Sequence, residues 1–248
     1  MTVSRTLGAR SRTARTAAGP HVPRVPRPAG AAAVFCAVAA GPLFLVTGIV
    51  QGVVRDGFDF TRNAISQLAL GQAGWVQTVN FLVTGALLAA GAAGLRRVLG
   101  RGAGGVRGPV LVGVFGVSFW AAAVFPADGG AGFPAGAPDA AVMSAHGAAH
   151  MAAGMVGHLA LCGAFLVLAR PLAARGHRGW AVASRLAPVA VLCGFAASAV
   201  SVLAFTVGAG LGLVWLAALA LRLGTGPAAA RRGVPGAGVP GALREAGV

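Results

Sequence analysis

The chain has 248 residues, of which 56 % are hydrophobic and 10 % charged, and its mean hydropathy is +0.78. A soluble domain carries about a quarter charged residues, so this composition excludes an ordinary water-soluble protein and points to a lipid-embedded one. The net charge of +15 would suit nucleic acid, but the arginines sit in the two tails and at the ends of apolar runs, without interleaved aromatics. That placement argues for anionic lipid headgroups at the inner leaflet as the partner and against nucleic acid.

Lysine and tyrosine are absent, forty residues are glycine, and isoleucine occurs only at Ile49 and Ile65. This avoidance of AT-rich codons points to a GC-rich bacterial genome, so the missing lysine is not read as functional. Cys36, Cys162 and Cys193 all lie in apolar stretches with no metal or redox spacing, and read as small buried hydrophobes.

Residues 1–29 form a basic tail without a single acid, punctuated by Pro23, Pro26 and Pro28, and read as disordered. The apolar run that follows is too long for a signal-peptide core, so an uncleaved first span is expected. A bilayer core about 30 Å thick needs about twenty apolar residues per helix. The spans expected on that basis are Gly30–Val54, Trp75–Leu95, Pro109–Phe125 and Ser144–Ala169. The next apolar run, Leu186–Leu223, would be roughly 57 Å long as one helix at 1.5 Å per residue. It therefore divides into two spans, with the turn placed near Thr206–Gly208. Gly48 and Gly52 in the first span are spaced for close helix contact. The expected fold is thus all-α: a six-helix transmembrane domain over 30–223, with a second disordered tail over 224–248.

With six spans both termini share one side. Six arginines then fall in the N-terminal tail, four in Arg96–Arg107, four in Arg170–Arg185 and four from Arg222 onward, against Arg55 and Arg62 on the other side. Asp56, Asp59, Asp128 and Asp139 lie opposite the arginine-rich side, which carries only Glu245. Cytoplasmic loops collect arginine, so a multi-pass protein of the cell membrane with both termini in the cytoplasm is expected. Trp75 and Trp180 fall near opposite interfaces, where indoles prefer to sit.

The outer side carries two loops. In the first, Arg55–Gly74, Asp59 has the chemistry to cap a short helix, on which Asp59, Arg62 and Ser66 recur on one face. Two readings stay open: an interfacial amphipathic helix with an Asp59–Arg62 surface pair, or a lid whose polar face turns into the bundle. The second loop runs from Phe125–Asp128 to Asp139 and is rich in Gly and Pro, which mark turns rather than a packed element.

The fourth span places His146 and His150 one turn apart, a pair that can chelate one metal ion or, as two neutral imidazoles, hydrogen-bond carboxylates of the outer loops. It has no HExxH glutamate, so a general base would come from another element. His158 lies about 18 Å from His146 along the helix axis and cannot share that metal. Its expected role is a hydrogen bond to Ser118, Ser198 or Ser201 on a neighbouring helix. Because all intramembrane histidines lie on one span, bis-histidine haem is not expected, and no Gly-rich phosphate loop is present.

The stretch Asp59–Arg62–Asn63–Ile65–Ser66–Leu68 leads into Gly74–Trp75, Asn80–Phe81 and Gly85, followed by Phe125–Pro126–Ala127–Asp128 and a histidine-bearing fourth span. Together these segments resemble the bacterial and archaeal membrane-protein family catalogued as domain of unknown function 998, over roughly residues 33–222. The resemblance implies a multi-helix integral membrane protein and picks out Asp59, Arg62, Ser66, Asp128 and His146 or His150; it implies no reaction. A longer polar connection before the last span would suit that family better than the apolar Phe205–Gly212.

Three functional readings follow. The first is an outward-facing polar vestibule that binds or moves a lipid or small solute. The second is an intramembrane zinc hydrolase of lipid esters or amides, with His146, His150 and Asp128 as candidate ligands and Asp59, Arg62, Ser66 or Asp128 as candidate catalytic groups. The third is a non-catalytic accessory subunit docking a partner through Gly48 and Gly52. No motif demands a cofactor, and zinc is the metal that the histidine pair would suit.

Overall fold

The computed structural model describes residues 28–225 apart from 103 and 141. Apart from the two residues nearest the bundle in each, the expected tails 1–29 and 224–248 lie outside these residues. The elements are α1 (Pro28–Val54), a short 3-10 helix (Ile65–Ala69), α2 (Gly74–Leu99), α3 (Arg107–Val124), α4 (Ala145–Ala174), α5 (Arg178–Ala197) and α6 (Val202–Gly224). There is no strand among the described residues. All six α-helices are long and apolar enough to cross a membrane; even α3, with 18 residues, spans about 27 Å at 1.5 Å per residue. Side chains such as Val46, Val53, Leu186 and Val214 are left exposed on the outside of the bundle, as expected where lipid is the solvent. The protein is an all-α, multi-pass membrane protein.

The helices form a ring in chain order. Each packs on the next and α6 returns to α1, because short connections make antiparallel neighbours. Small residues set the closest approaches: Gly91 and Gly94 of α2 abut Ala37 and Val34 of α1, and Gly85 of α2 meets Gly116 of α3. One end of the ring carries the connections 55–73 and 125–144 and is called here the loop end. The other carries Arg96, Arg97, Arg107, Arg170 and Arg222 and is the arginine end.

Several boundaries differ from expectation. Helix α2 runs four residues past Leu95, through Arg96 and Arg97, to a Gly100 cap at φ 62°. Cations favour a helix C-terminus, so these arginines extend the helix instead of ending it. Helix α4 likewise continues through Arg170 and Pro171 to Ala174. The largest correction is the last hairpin. Helix α5 begins at Arg178, and its turn lies at Ser198–Ser201, where Ala197 O accepts from the amides of Val200 and Ser201. Gly208, expected in the turn, is a packing residue: a Cβ there would fall 2.9 Å from Gly194 Cα on α5. Cys193 is exposed, not buried, whereas Cys162 is buried and Cys36 intermediate.

Candidate functional site

At the loop end the first connection folds back as a cap over the ring. Arg55, just past α1, donates through Nη1 to Leu68 O (2.6 Å) and through Nη2 to Leu70 O (2.7 Å). Its guanidinium lies 4.9 Å from the Phe133 ring centroid, a cation–π contact that also engages the second loop. Asn63 is fully buried and donates to Gly130 O (3.1 Å), and Gln67 donates to Asp128 O (3.1 Å) while accepting from the Ala64 amide. Ile65, Leu68 and Phe133 are buried together with Phe58 and Phe60 against them. The part of the second loop from Asp128 to Phe133 is therefore packed on the first, where its Gly- and Pro-rich composition suggests only turns. Gly48 and Gly52 receive the side chains of Ile65 and Phe60, so the expected docking face on α1 is filled by this chain's own cap.

Asp59, Arg62 and Ser66 do not share a helical face. Asp59 Oδ1 accepts from the Thr61 amide (2.8 Å) and hydroxyl (2.7 Å), and the Asp59 amide donates to Asn63 Oδ1 (3.0 Å). This local turn competes with helix, and helical geometry begins only at Ile65. The Thr61 bonds hold the Asp59 carboxyl below its ordinary range. Arg62 pairs with Asp139 at 3.3 Å, both exposed, not with Asp59. Of the three, only Ser66 reaches the interior.

Asp128 serves the start of α4. Its Oδ1 accepts from Ser144 Oγ (2.6 Å) and its Oδ2 from the Ser144 amide (2.9 Å), while Ser144 Oγ accepts from the Gly147 amide (3.0 Å). Ser144 is thus an N-cap held by a carboxylate at the positive helix end. The Ser144 hydrogen bonds, with smaller contributions from His146 and His150, lower the Asp128 pKa.

Beneath the cap lies a cavity of about 590 Å³ to which all six helices contribute. Phe44, Phe81, Phe119, Phe195 and Phe205 line it, and the cap supplies Ala64, Ile65 and Ser66. Its polar groups include His150 and His158. His150 is buried with Nδ1 2.8 Å from Phe125 O. The ring of His158 sits among Phe115, Phe195 and Phe205 at centroid distances of 5.6, 4.8 and 5.9 Å. Its Nδ1 is 2.8 Å from Gly154 O on its own helix, not on the serines of neighbouring helices.

The histidines are therefore grouped differently from expectation. His146 is exposed against Phe125, whereas His150 and His158 line one cavity. Among the described residues, no three His, Cys, Asp or Glu side chains are arranged to hold a metal ion. His146, His150 and Asp128 each face a different partner: the Phe125 ring, the Phe125 carbonyl and Ser144.

Met151, Met155, Ala196 and Ser198 line the cavity and are also exposed. They mark a side opening between α4 and the α5–α6 turn. Phe195, two residues from the end of α5, packs on His158, about 20 Å along α4 from its first residue. Helix α5 thus ends near the level of His158 and leaves the first turns of α4 without a neighbour on that side.

Sequence reasoning passed over a buried polar group beside the cavity. Gln51 donates to Gln77 Oε1 (2.8 Å), and Asn80 donates to Gln77 Oε1 (3.1 Å) and to Phe44 O (3.2 Å). Gln51, Gln77, Asn80 and Thr84 are all buried. Their signal was available: amide side chains inside apolar spans are costly and face the bundle interior.

The model of the family described as "Protein of unknown function (DUF998)" matches residues 38–222. The chain belongs to this family. The matched span leaves out the start of α1, residues 28–37, and the last two residues of α6, so the DUF998 domain contains the cap, the cavity and both cavity histidines. No curated protein and no solved structure matches this DUF998 chain.

Proposed function

We propose that this DUF998 protein binds a lipid or lipid-like solute in the capped cavity and exchanges it with the bilayer through the opening between α4 and the α5–α6 turn. The observation that carries this reading is the combination of an aromatic-walled space of about 590 Å³ with exposed Met151 and Met155 on its rim. That volume lies within the roughly 300–1,000 Å³ of small-molecule sites. Methionine suits a wall that adapts to flexible chains. The arginine asymmetry supports an orientation with the arginine end in the cytoplasm, held by anionic headgroups, so that the cavity opens toward the outer leaflet of the cell membrane.

The test uses the full chain in phosphatidylcholine nanodiscs and a long-chain aliphatic diazirine probe. A Cβ at Gly154 would meet open space, and Gly154 lines the cavity, so Gly154→Leu fills the site without a backbone clash. We expect photolabelling at Met151, Met155 and Phe205 in the wild type and its loss in a Gly154→Leu protein that keeps its melting temperature. Labelling confined to lipid-facing positions such as Val46 and Leu186, and indifferent to Gly154→Leu, overturns the proposal.

A further inference from the structure

We infer that the cavity selects a neutral lipid bearing a free hydroxyl, which donates to His158. This inference rests on the cavity being a lipid site and names the chemistry of its occupant.

A carbonyl oxygen only accepts, so the 2.8 Å contact with Gly154 O requires the proton of His158 on Nδ1. A neutral imidazole carries one N–H, leaving Nε2 as an acceptor at the distal edge of the ring. Three phenyl rings surround His158. The hydroxyls of Ser118 and Ser198 are already donated, to Phe115 O (2.7 Å) and Phe195 O (2.6 Å). These three lining groups therefore present acceptors to the cavity.

A ligand hydroxyl in the cavity gives its proton to His158 Nε2. Ionic headgroups fit less well. No Arg, Asp or Glu is among the lining residues, so a phosphate, carboxylate or ammonium would be buried without a countercharge.

The test compares three diazirine probes of equal chain length, ending in an alcohol, its methyl ether and a primary amine, on the full chain in phosphatidylcholine nanodiscs. We expect the alcohol to label Met155 and Phe205 about ten-fold more strongly than the ether, the scale of one hydrogen bond whose loss leaves a buried acceptor unpaired. The amine should label no better than the ether. In His158→Phe the alcohol should lose its advantage, so that alcohol and ether label equally. Equal labelling by alcohol and ether in the wild type overturns the hydroxyl assignment and leaves lipid binding standing; preference for the amine overturns it in favour of a cation. If none of the probes labels the cavity, the lipid-binding proposal itself falls.

Discussion

The two halves of the ring solve the same problem in opposite ways. At the arginine end the centre is filled: Leu95, Leu161, Leu168, Leu172, Leu216, Leu219 and Leu223 are each 0–1 % exposed, and Gly91 and Gly94 draw α2 onto α1. At the loop end the same helices are lined by Phe44, Phe81 and Phe119, whose centroids lie 5.1–6.1 Å apart. There α5 ends near the level of His158, and a cap held by Arg55, Asn63 and Gln67 closes the top. Flexible leucines interdigitate to native density. The Phe44 ring packs edge to face on Phe119 and tilted on Phe81, and the three rings form one wall of the cavity. The difference places the packed core in one half and the open cavity in the other.

The most direct way to break that comparison is to place one substitution in both halves. A Cβ at Gly94 would fall 2.6 Å from Val34 N and 2.7 Å from Ala33 C, both backbone atoms. Gly94→Leu is therefore expected to cost about 3 kcal/mol or more through overpacking and to abolish monodisperse protein in detergent. Gly154→Leu, in open space, should leave the melting temperature unchanged or raised, because glycine inside a helix is unfavourable by about 0.5–1 kcal/mol relative to alanine. Equal damage from both substitutions would refute the division of the ring into a packed half and an open one.

A smaller effect belongs to the cap alone. Arg55→Met keeps an apolar stem but removes both donors to Leu68 O and Leu70 O. Charged hydrogen bonds contribute about 1.5–3 kcal/mol each, and water reaching the half-exposed loop offsets part of the loss. A net destabilisation of about 2 kcal/mol is expected. Amide hydrogen exchange should accelerate across residues 63–70 and stay unchanged in α2 and α6. Uniform acceleration through the bundle would mean that cap and ring open together.

The two halves were also unequally legible in the sequence. The spans could be read because twenty-residue apolar runs admit one interpretation in a bilayer. Their ends could not, because arginine after an apolar run reads as a stop, yet Arg96, Arg97, Arg170, Arg178 and Arg185 all lie within helices. Gly208 was ambiguous for a different reason. Glycine serves both turns and close helix contacts, and only the partner Gly194 decides between them. Periodicity failed in the cap because an i to i+7 pattern presumes helix, and Asp59 builds a turn with Thr61 and Asn63 instead. The residues that pin the cap, Asn63 and Gln67, carry no charge and bond to backbone carbonyls some sixty residues away in the chain. No local spacing encodes such a contact.

Asp128 offers the finest measurement at the boundary between cap and ring. Its carboxyl pKa is lowered in the folded protein, first by Ser144 and then by His146 and His150, from a free value near 3.9. The unfolded chain then binds the proton more readily, so the ionised group stabilises the fold above about pH 4, and that stability is lost as pH falls through the lowered native value. Asp128→Asn should therefore melt below the wild type at pH 6, and the gap should close on acidification below pH 4. The exposed Arg62–Asp139 pair provides the matched control, since such surface pairs contribute about 0–1 kcal/mol and are screened by salt. Arg62→Ala should shift melting least of all these variants and not at all in high salt. A gap for Asp128→Asn that widened in acid would instead mean that protonated Asp128 is the stabilising form, and the cap on α4 would have to be redrawn with the carboxyl as a donor.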